Sequence, residues 1–521
     1  MVMGNLLKPP LMLCEDRRIA TRVVFCFCVA ATPAFFFSTI AFAETPHIET
    51  SLTVSETFTD NAQAAKNGQS DWITEISPSV SLRRAAGRVT GNLDASIRNL
   101  LYANDSSLSE SFLTLSGSGK AEIIDNTLFV DVTGVVSRNN LSAFQGRPQW
   151  DSQNTSSQSE TRYLSIRPRW VGHIGNSDVQ YAMSYDGQAL SYGSNMSDQN
   201  VGTFHARLFD PTAGARFGWS IDYNKLDNSY SQSNQQNVND ESLTGTLTFY
   251  VTRQLSLRLI AGTETNNYMT GSEETGAVTG YGFNWRPTPL TNFDGTWEHH
   301  VYGDTYDVRF SHRRALVAFD LSATRQITSS YATAANTLGS YYYNLFSASL
   351  VSQYPDPVQR DQATRELMKS LGVQGVYFGN TYTNSFYEDQ RVQAGVSLIG
   401  VRHVLALSAY HSDQTTTNRA FAFDSSDNFA NNDNVKSWGW TVSLSHQLTP
   451  SSSLTGALFW SKSDGSGGVP SESNKDTGLI VGYNRQLGPK TSCTVNFRHE
   501  SSSGDNGFNE NALTASLTRV F

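Results

Sequence analysis

Apolar and polar residues alternate along most of this chain with a period of two. Leu243, Gly245, Leu247, Phe249 and Val251 fall on one phase, with Thr244, Thr246, Thr248 and Tyr250 on the other. After Arg253-Gln254 the pattern restarts, with Leu255, Leu257, Leu259 and Ala261 against Ser256, Arg258, Ile260 and Gly262. The same phasing recurs at Val317, Phe319, Leu321 and Ala323, and at Leu454, Gly456, Leu458 and Trp460. Successive side chains on a strand point to opposite faces, so each segment predicts a strand with one apolar and one polar face.

The connections fall into two alternating classes. Short ones include Ala85-Ala86-Gly87, Gly175-Asn176-Ser177, Arg253-Gln254, Pro287-Thr288-Pro289 and Gly488-Pro489-Lys490. Long polar ones span Asp60 to Ser70, Asn139 to Gln158, Asp227 to Asp240, Thr415 to Asn434 and Asp464 to Asn474. Outer-membrane barrels have short periplasmic turns and longer outer loops. The expected fold is therefore all-β: a transmembrane antiparallel up-and-down barrel of about 22 to 24 strands. The ambiguity sits at Gly375 to Gly400, where one strand or two can be drawn. A barrel this wide is not filled by its own side chains, so it is a channel, a plugged channel or a cavity.

One segment breaks the period. From Tyr354 to Gly372, Asp356 suits an N-cap, Pro357 the first helical position, Gln359 completes a capping box, and Gly372 is a stop. Val358, Ala363, Leu367, Met368 and Leu371 make a partial apolar stripe, with Gln359, Arg360, Asp361 and Arg365 elsewhere. Strand parity assigns this helix to a periplasmic turn. It is expected to be a periplasmic or lumenal plug, a docking element for a partner, or a cover for the barrel end.

Composition agrees with an unusual solvent. Only 16% of the 521 residues are charged, against about a quarter in soluble domains. The one long apolar run, Val23 to Ala43, follows Arg17, Arg18 and Arg22 and ends in Ala41-Phe42-Ala43 before Glu44. It reads as a secretory signal peptide over residues 1–43, with the barrel over 44–521. A start at Met12 gives a leader of more usual length, and a membrane anchor is the alternative use of the run. Residues 1–43 carry a net two positive charges, so the remainder sits at −11 rather than −9. An acidic secreted chain is a poor nucleic-acid binder. Cys14, Cys26 and Cys28 fall in the leader, with no lipidation pattern before them, and Cys493 alone remains.

Trp438, Trp440 and Trp460 share the apolar phase near strand ends, as an interfacial girdle does; core aromatics of a soluble sandwich are the alternative. Leu513, Ala515, Leu517, Arg519 and Phe521 alternate to a terminal Phe, resembling the final-strand signal read by the barrel assembly machinery. Arg519 departs from that signal, but can snorkel to headgroups. These features predict the outer membrane of a Gram-negative bacterium, with its lipids as solvent.

Chemistry is sparse. His299 and His300 point to opposite faces and cannot share a metal. Asp294, Glu298 and His300 share the lumenal phase, as an acidic site or, more simply, a hydrated wall. Other lumen-facing candidates are Asp94 and Arg98, Arg258, and Asp307 with Arg309. Such mixed charge suits hydrated neutral solutes or carbohydrate, whereas an anionic polymer calls for a basic lumen. No catalytic constellation, cofactor site or metal site is expected, and a barrel-embedded lipid hydrolase ranks third among the functional readings.

Ser55-Glu56-Thr57-Phe58-Thr59-Asp60-Asn61, followed by Ser70-Asp71-Trp72-Ile73-Thr74-Glu75-Ile76-Ser77-Pro78, resembles the opening hairpin of outer-membrane barrel proteins from exopolysaccharide and PEP-CTERM (exosortase)-associated loci. Asp356-Pro357-Val358-Gln359-Arg360 running to Leu371-Gly372 resembles that family's helical interruption. The resemblance implies export or surface assembly of exopolysaccharide, as conduit or accessory, with the polymer and periplasmic export components as partners. A general or sugar-selective porin is the alternative.

Overall fold

The computed structural model describes residues 46–521 except 141, 145–157, 194–195, 213–215, 232–235, 331–337, 352, 372–382, 418–426, 468–471 and 505–506. The leader with Met12 and its cysteines, and Gly372 and Gly375, lie outside the described residues.

The described chain forms one sheet of 22 strands, numbered in chain order. Each strand pairs antiparallel with the next. The first, β1 (His47–Thr59), also pairs with the last, β22 (Phe508–Val520), from Ser51↔Val520 to Thr59↔Ala512. Closure leaves no sheet edge, so the strands satisfy one another's backbone hydrogen bonds, as a lipid environment demands. Among its described residues the ambiguous region contains a single strand, β16 (Tyr387–Ile399).

The two phases separate as the alternation predicts. Leu243, Leu247, Leu257, Leu259, Phe319, Leu321, Leu454 and Leu458 are exposed on the outside. Ser397, Ser408, Ser412, Ser437 and Ser443 are buried on the inside. An outward band of exposed leucines is tolerable only against lipid, where an outward Arg or Lys at mid-depth would cost about 2–4 kcal/mol. Trp438, Trp440 and Trp460 sit on the outward phase of β18 (Asn434–Thr449) and β19 (Ser452–Ser466); Trp438 is toward the long-loop end, whereas Trp440 and Trp460 pair at mid-strand and not at the strand ends expected of them. Arg519 is also outward, one residue from the end of β22, and its Nη1 donates to Thr491 Oγ1 at 2.8 Å. The protein is an outer-membrane β-barrel, with its long loops outside and its short turns periplasmic.

Between β15 (Val317–Thr328) and β16 the described residues form two long helices, not one: α1 (Leu338–Leu350) and α2 (Pro357–Leu371). Fourteen strands precede β15, so β15 runs outward and this connection belongs to the long-loop side. That corrects the periplasmic placement of the insert. The apolar segment Leu338–Leu350 has strand length, and reading it as one more strand reverses the parity.

Candidate functional site: the lumen and its helical hairpin

The lumen is occupied on one side by the insert. α1 presents Tyr342, Leu345, Phe346, Ser349 and Leu350, at alternating spacings of three and one, to the barrel wall; all are buried. The wall beneath is built of small or short side chains: Ala318 of β15, Ser397 of β16, and Ala406 and Ser408 of β17 (His403–Thr416). Tyr342 Oη and Ser408 Oγ lie 2.9 Å apart, and Ser349 Oγ and Ser397 Oγ 2.7 Å. Leu350 clusters with Ala318, Ile399 and Val404, which flank the short turns. The helix therefore descends from the outer mouth to the periplasmic end. Its 13 residues cover about 20 Å at 1.5 Å per residue, most of the ~25 Å apolar band.

α2 returns alongside α1, with Ala363, Leu367 and Met368 packed on the same apolar cluster. Asp356 caps it as expected: Gln359 N donates to Asp356 Oδ1 at 2.9 Å. Pro357 is its first residue. Arg360 Nη1 donates to the carbonyls of Tyr354 and Pro355 at 3.1 and 3.2 Å, tying the inter-helix turn to α2. Arg365 Nε donates to Asp361 Oδ2 at 3.0 Å, and its guanidinium lies 5.4 Å from the Tyr343 ring. The Tyr343 hydroxyl donates to Asp361 Oδ1, so one carboxylate joins the two helices. Burial pushes the Tyr343 hydroxyl up to about 12, with the Asp361 carboxylate adding to it. Burial also acts to raise Asp361, but the Tyr343 hydroxyl and Arg365, with Arg83 of β2 (Asp71–Arg84) nearby, more than offset it and hold the carboxyl below its usual range.

Loops bridge the outer mouth. Thr383, at the far end of the insert, receives a 2.8 Å bond on its carbonyl from Ser330 Oγ and donates its own N–H back to that oxygen at 2.7 Å. Its hydroxyl and the N–H of Asn384 each donate to Asp427 at 2.8 Å. Tyr230 Oη, from β9 (Phe217–Tyr230), donates to the Asn384 carbonyl at 2.8 Å. Ala143 N donates to Asn428 Oδ1 at 2.7 Å. Both ends of the insert are thus pinned together and tied to loops on distant strands.

The rest of the wall carries the charges. Asp94 and Arg98 face inward on β3 (Val89–Tyr102): Asp94 accepts from Ser81 at 2.6 Å and Arg98 pairs with Glu75 at 2.8 Å. Arg258 of β11 (Leu255–Asn266) reaches Asp294 of β13 (Thr291–His300) at 3.1 Å and Thr296 Oγ1 at 2.7 Å. Asp307 and Arg309 share the inward phase of β14 (Gly303–Arg313) and pair at 2.8 Å. Glu298 sits 3.2 Å from His300 Nε2, whose Nδ1 is 2.7 Å from Glu264. His299 points outward to Asp304 at 2.7 Å, so the two histidines serve opposite faces. Among the described residues no group of His, Cys, Asp and Glu is arranged to hold a metal ion. These candidates do not converge on one centre; they form neighbouring ion pairs along the wall.

Several partners were not singled out from sequence: Glu75, Asp131 with Arg167 and Arg169, Arg207 with Asp222, and Glu264. Phase alone puts them inward, but pairing across strands depends on register, which alternation does not specify. α1 was also missed, although Tyr342, Leu345, Phe346 and Ser349 follow a helical spacing.

No family model matches the sequence, nor does any curated protein. Among solved structures, the chain is similar to a mutant of the ferric enterobactin receptor PfeA from Pseudomonas aeruginosa, at 8% identity over 91% of this chain and 80% of that one, with a TM-score of 0.45. It is also similar to Pseudomonas aeruginosa OccK1 (OpdK), at 11% identity over 91% and 99% of the two chains, with a TM-score of 0.34. Acinetobacter baumannii OccAB4 matches at 10% identity over 92% and 99%, with a TM-score of 0.36.

Proposed function

We propose that the protein is a constricted outer-membrane channel for small hydrophilic solutes, in which the α1–α2 hairpin narrows the lumen and the ion-paired wall lines the remaining path. The observation that carries this reading is a helical hairpin seated inside a 22-stranded barrel. A closed sheet of this size encloses more space than its side chains fill. The hairpin takes up part of that space, docked on short side chains, and the paired charges line the rest of the wall. A polymer conduit needs the hairpin to leave the lumen, whereas a small-solute channel works with it in place.

The test compares the full chain with a variant in which residues 338–371 are replaced by a short Gly-Ser linker, both in planar bilayers. The channel reading expects a small conductance for the full chain and one several-fold larger for the variant. Unchanged conductance sinks the assignment of the hairpin as constriction. A full chain that is closed to ions, but opens when purified exopolysaccharide is added, favours the conduit.

A further inference from the structure

We infer that a recess in the charged wall, between β8 (Gln199–Asp210) and β13, is a binding subsite for neutral polyhydroxylated solutes of sugar type. The inference rests on the channel reading and names its substrate class. The recess encloses about 310 Å³ and is lined by Arg207, Asp222, Thr246, Thr248, Tyr250 and Arg258, among others. That is the low end of the ~300–1,000 Å³ range of small-molecule sites.

Its chemistry selects against charge. Arg207 Nε lies 3.4 Å from Asp222 and Arg258 Nη2 lies 3.1 Å from Asp294, so each guanidinium is already neutralised by a carboxylate. The third acid in reach, Glu298, faces His300 at 3.2 Å. An anionic solute meets no surplus positive charge, and it would have to displace a carboxylate to claim an arginine. A sugar hydroxyl has no such conflict, because it both donates and accepts. It can accept from guanidinium N–H groups that the ion pairs leave over, and donate to carboxylate lone pairs or to the threonine hydroxyls. Hydrogen bonds to charged partners are about twice as strong as neutral ones, so a paired wall recognises hydroxyls without demanding an ion.

Shape adds a second requirement. Tyr250 lies on the inward phase of β10 (Val238–Tyr250), and its ring gives the recess a flat apolar surface for the C–H face of a pyranose. Phe209, also in the lining, lies 5.0 Å from the Arg207 guanidinium, which already uses its ring. Trp219, the third aromatic of the lining, lies on the outward phase of β9 with the exposed Phe217 and Ile221, which leaves Tyr250 as the ring available for stacking.

The experiment titrates glucose, glucuronate and an ethylene-glycol oligomer of matched size against the ion current of the full chain, and repeats the glucose titration by calorimetry on the detergent-solubilised protein. Saturable block and heat are expected with glucose, no tighter effect with glucuronate, and no saturable effect with the oligomer. Tyr250→Leu and Asp222→Asn should each raise the half-saturating glucose concentration roughly 10-fold, with folding confirmed by unchanged heat-modifiable gel mobility. Equal block by the oligomer, tighter binding of glucuronate, or variants indistinguishable from wild type overturns the subsite. The two readings fail separately: a hairpin-deleted barrel that conducts but ignores glucose removes only the subsite, and one that carries no current removes the channel.

Discussion

The inner surface has two kinds of polar wall. Under α1, strands β15 to β17 present Ala318, Gly395, Ser397, Ala406 and Ser408, and a helix packs against them. On strands β3 to β14 the wall presents paired Arg and Asp or Glu side chains that remain partly exposed, as with Arg258 and Asp294 at 26% and 30%. Both register as polar in a hydropathy pattern, yet size separates them. A serine leaves room for a helix and gives its hydroxyl a partner, whereas an arginine fills that space and holds water. The difference predicts that volume changes on the first wall act on gating, and charge changes on the second act on selectivity.

The largest expected effect is the loss of the anchor of α1. Phe346 is fully buried between helix and wall, and Phe346→Ala should weaken docking by about 3–5 kcal/mol. Trypsin cleavage at Arg360 and Arg365 should accelerate sharply while the barrel keeps its gel mobility. If cleavage is unchanged, the hairpin is held by its loop ends alone.

Next comes a substitution on the strand side of the same contact. A Cβ at Gly395 would run into the Tyr341 hydroxyl, so Gly395→Leu should overpack the interface at a cost of about 1–3 kcal/mol and raise the frequency of channel opening. The same replacement at Gly134, on the outward phase of β5 (Leu128–Asn140) opposite Leu164, where a Cβ meets only Leu115 at 3.7 Å, should leave opening unchanged. An equal response at both glycines would mean that opening does not depend on the contact between α1 and the wall.

On the charged wall, Asp294→Asn releases Arg258 from its ion pair. The pair is partly exposed, so stability should change by less than about 1 kcal/mol, while the reversal potential in a salt gradient should shift toward anions. A large stability loss with no shift in selectivity would mean that these pairs hold the sheet together and do not face the permeant path.

How far the sequence reaches follows the same division. Alternation assigns inward and outward phases along a whole strand, because a period of two is imposed by the backbone itself. Leu243 and Leu247 accordingly face lipid, and Arg258 and Asp307 face the lumen. The cap at Asp356 was legible because it depends on residues within one turn of one another. Three features were not legible: the helix at Leu338–Leu350, the side of the membrane from which the insert enters, and the use of Ser397 and Ser408 as a docking surface. Each depends on contacts between segments far apart in sequence. A stretch rich in Tyr, Phe and Leu suits a strand or a buried helix equally well until its neighbours are known.

The smallest predicted effect concerns the bond between the two helices. Asp361 accepts from Tyr343 of α1 and from Arg365 of its own helix, and its carboxyl is held below the usual range. A carboxylate whose folded pKa is depressed stabilises the folded form fully above its unfolded pKa, and the contribution is lost as pH falls through the folded value. The unfolded reference is about 3.9, so the hairpin should be indifferent to pH from neutrality down to about pH 5 and loosen only below about pH 4. The group is about one-third exposed, at 37%, and solvent screening keeps its contribution modest. Protease protection of the hairpin followed across pH should therefore show a shallow step in the acid range. In Asp361→Asn that step should vanish, with neutral-pH protection slightly lowered. A step that persists in Asp361→Asn places the acid-sensitive group elsewhere, the first alternative being Asp427 at the mouth, whose carboxylate accepts from Thr383 and Asn384. Asp427→Asn would then abolish it, and the strap across the mouth, instead of the inter-helix bond, would set the acid response of the insert.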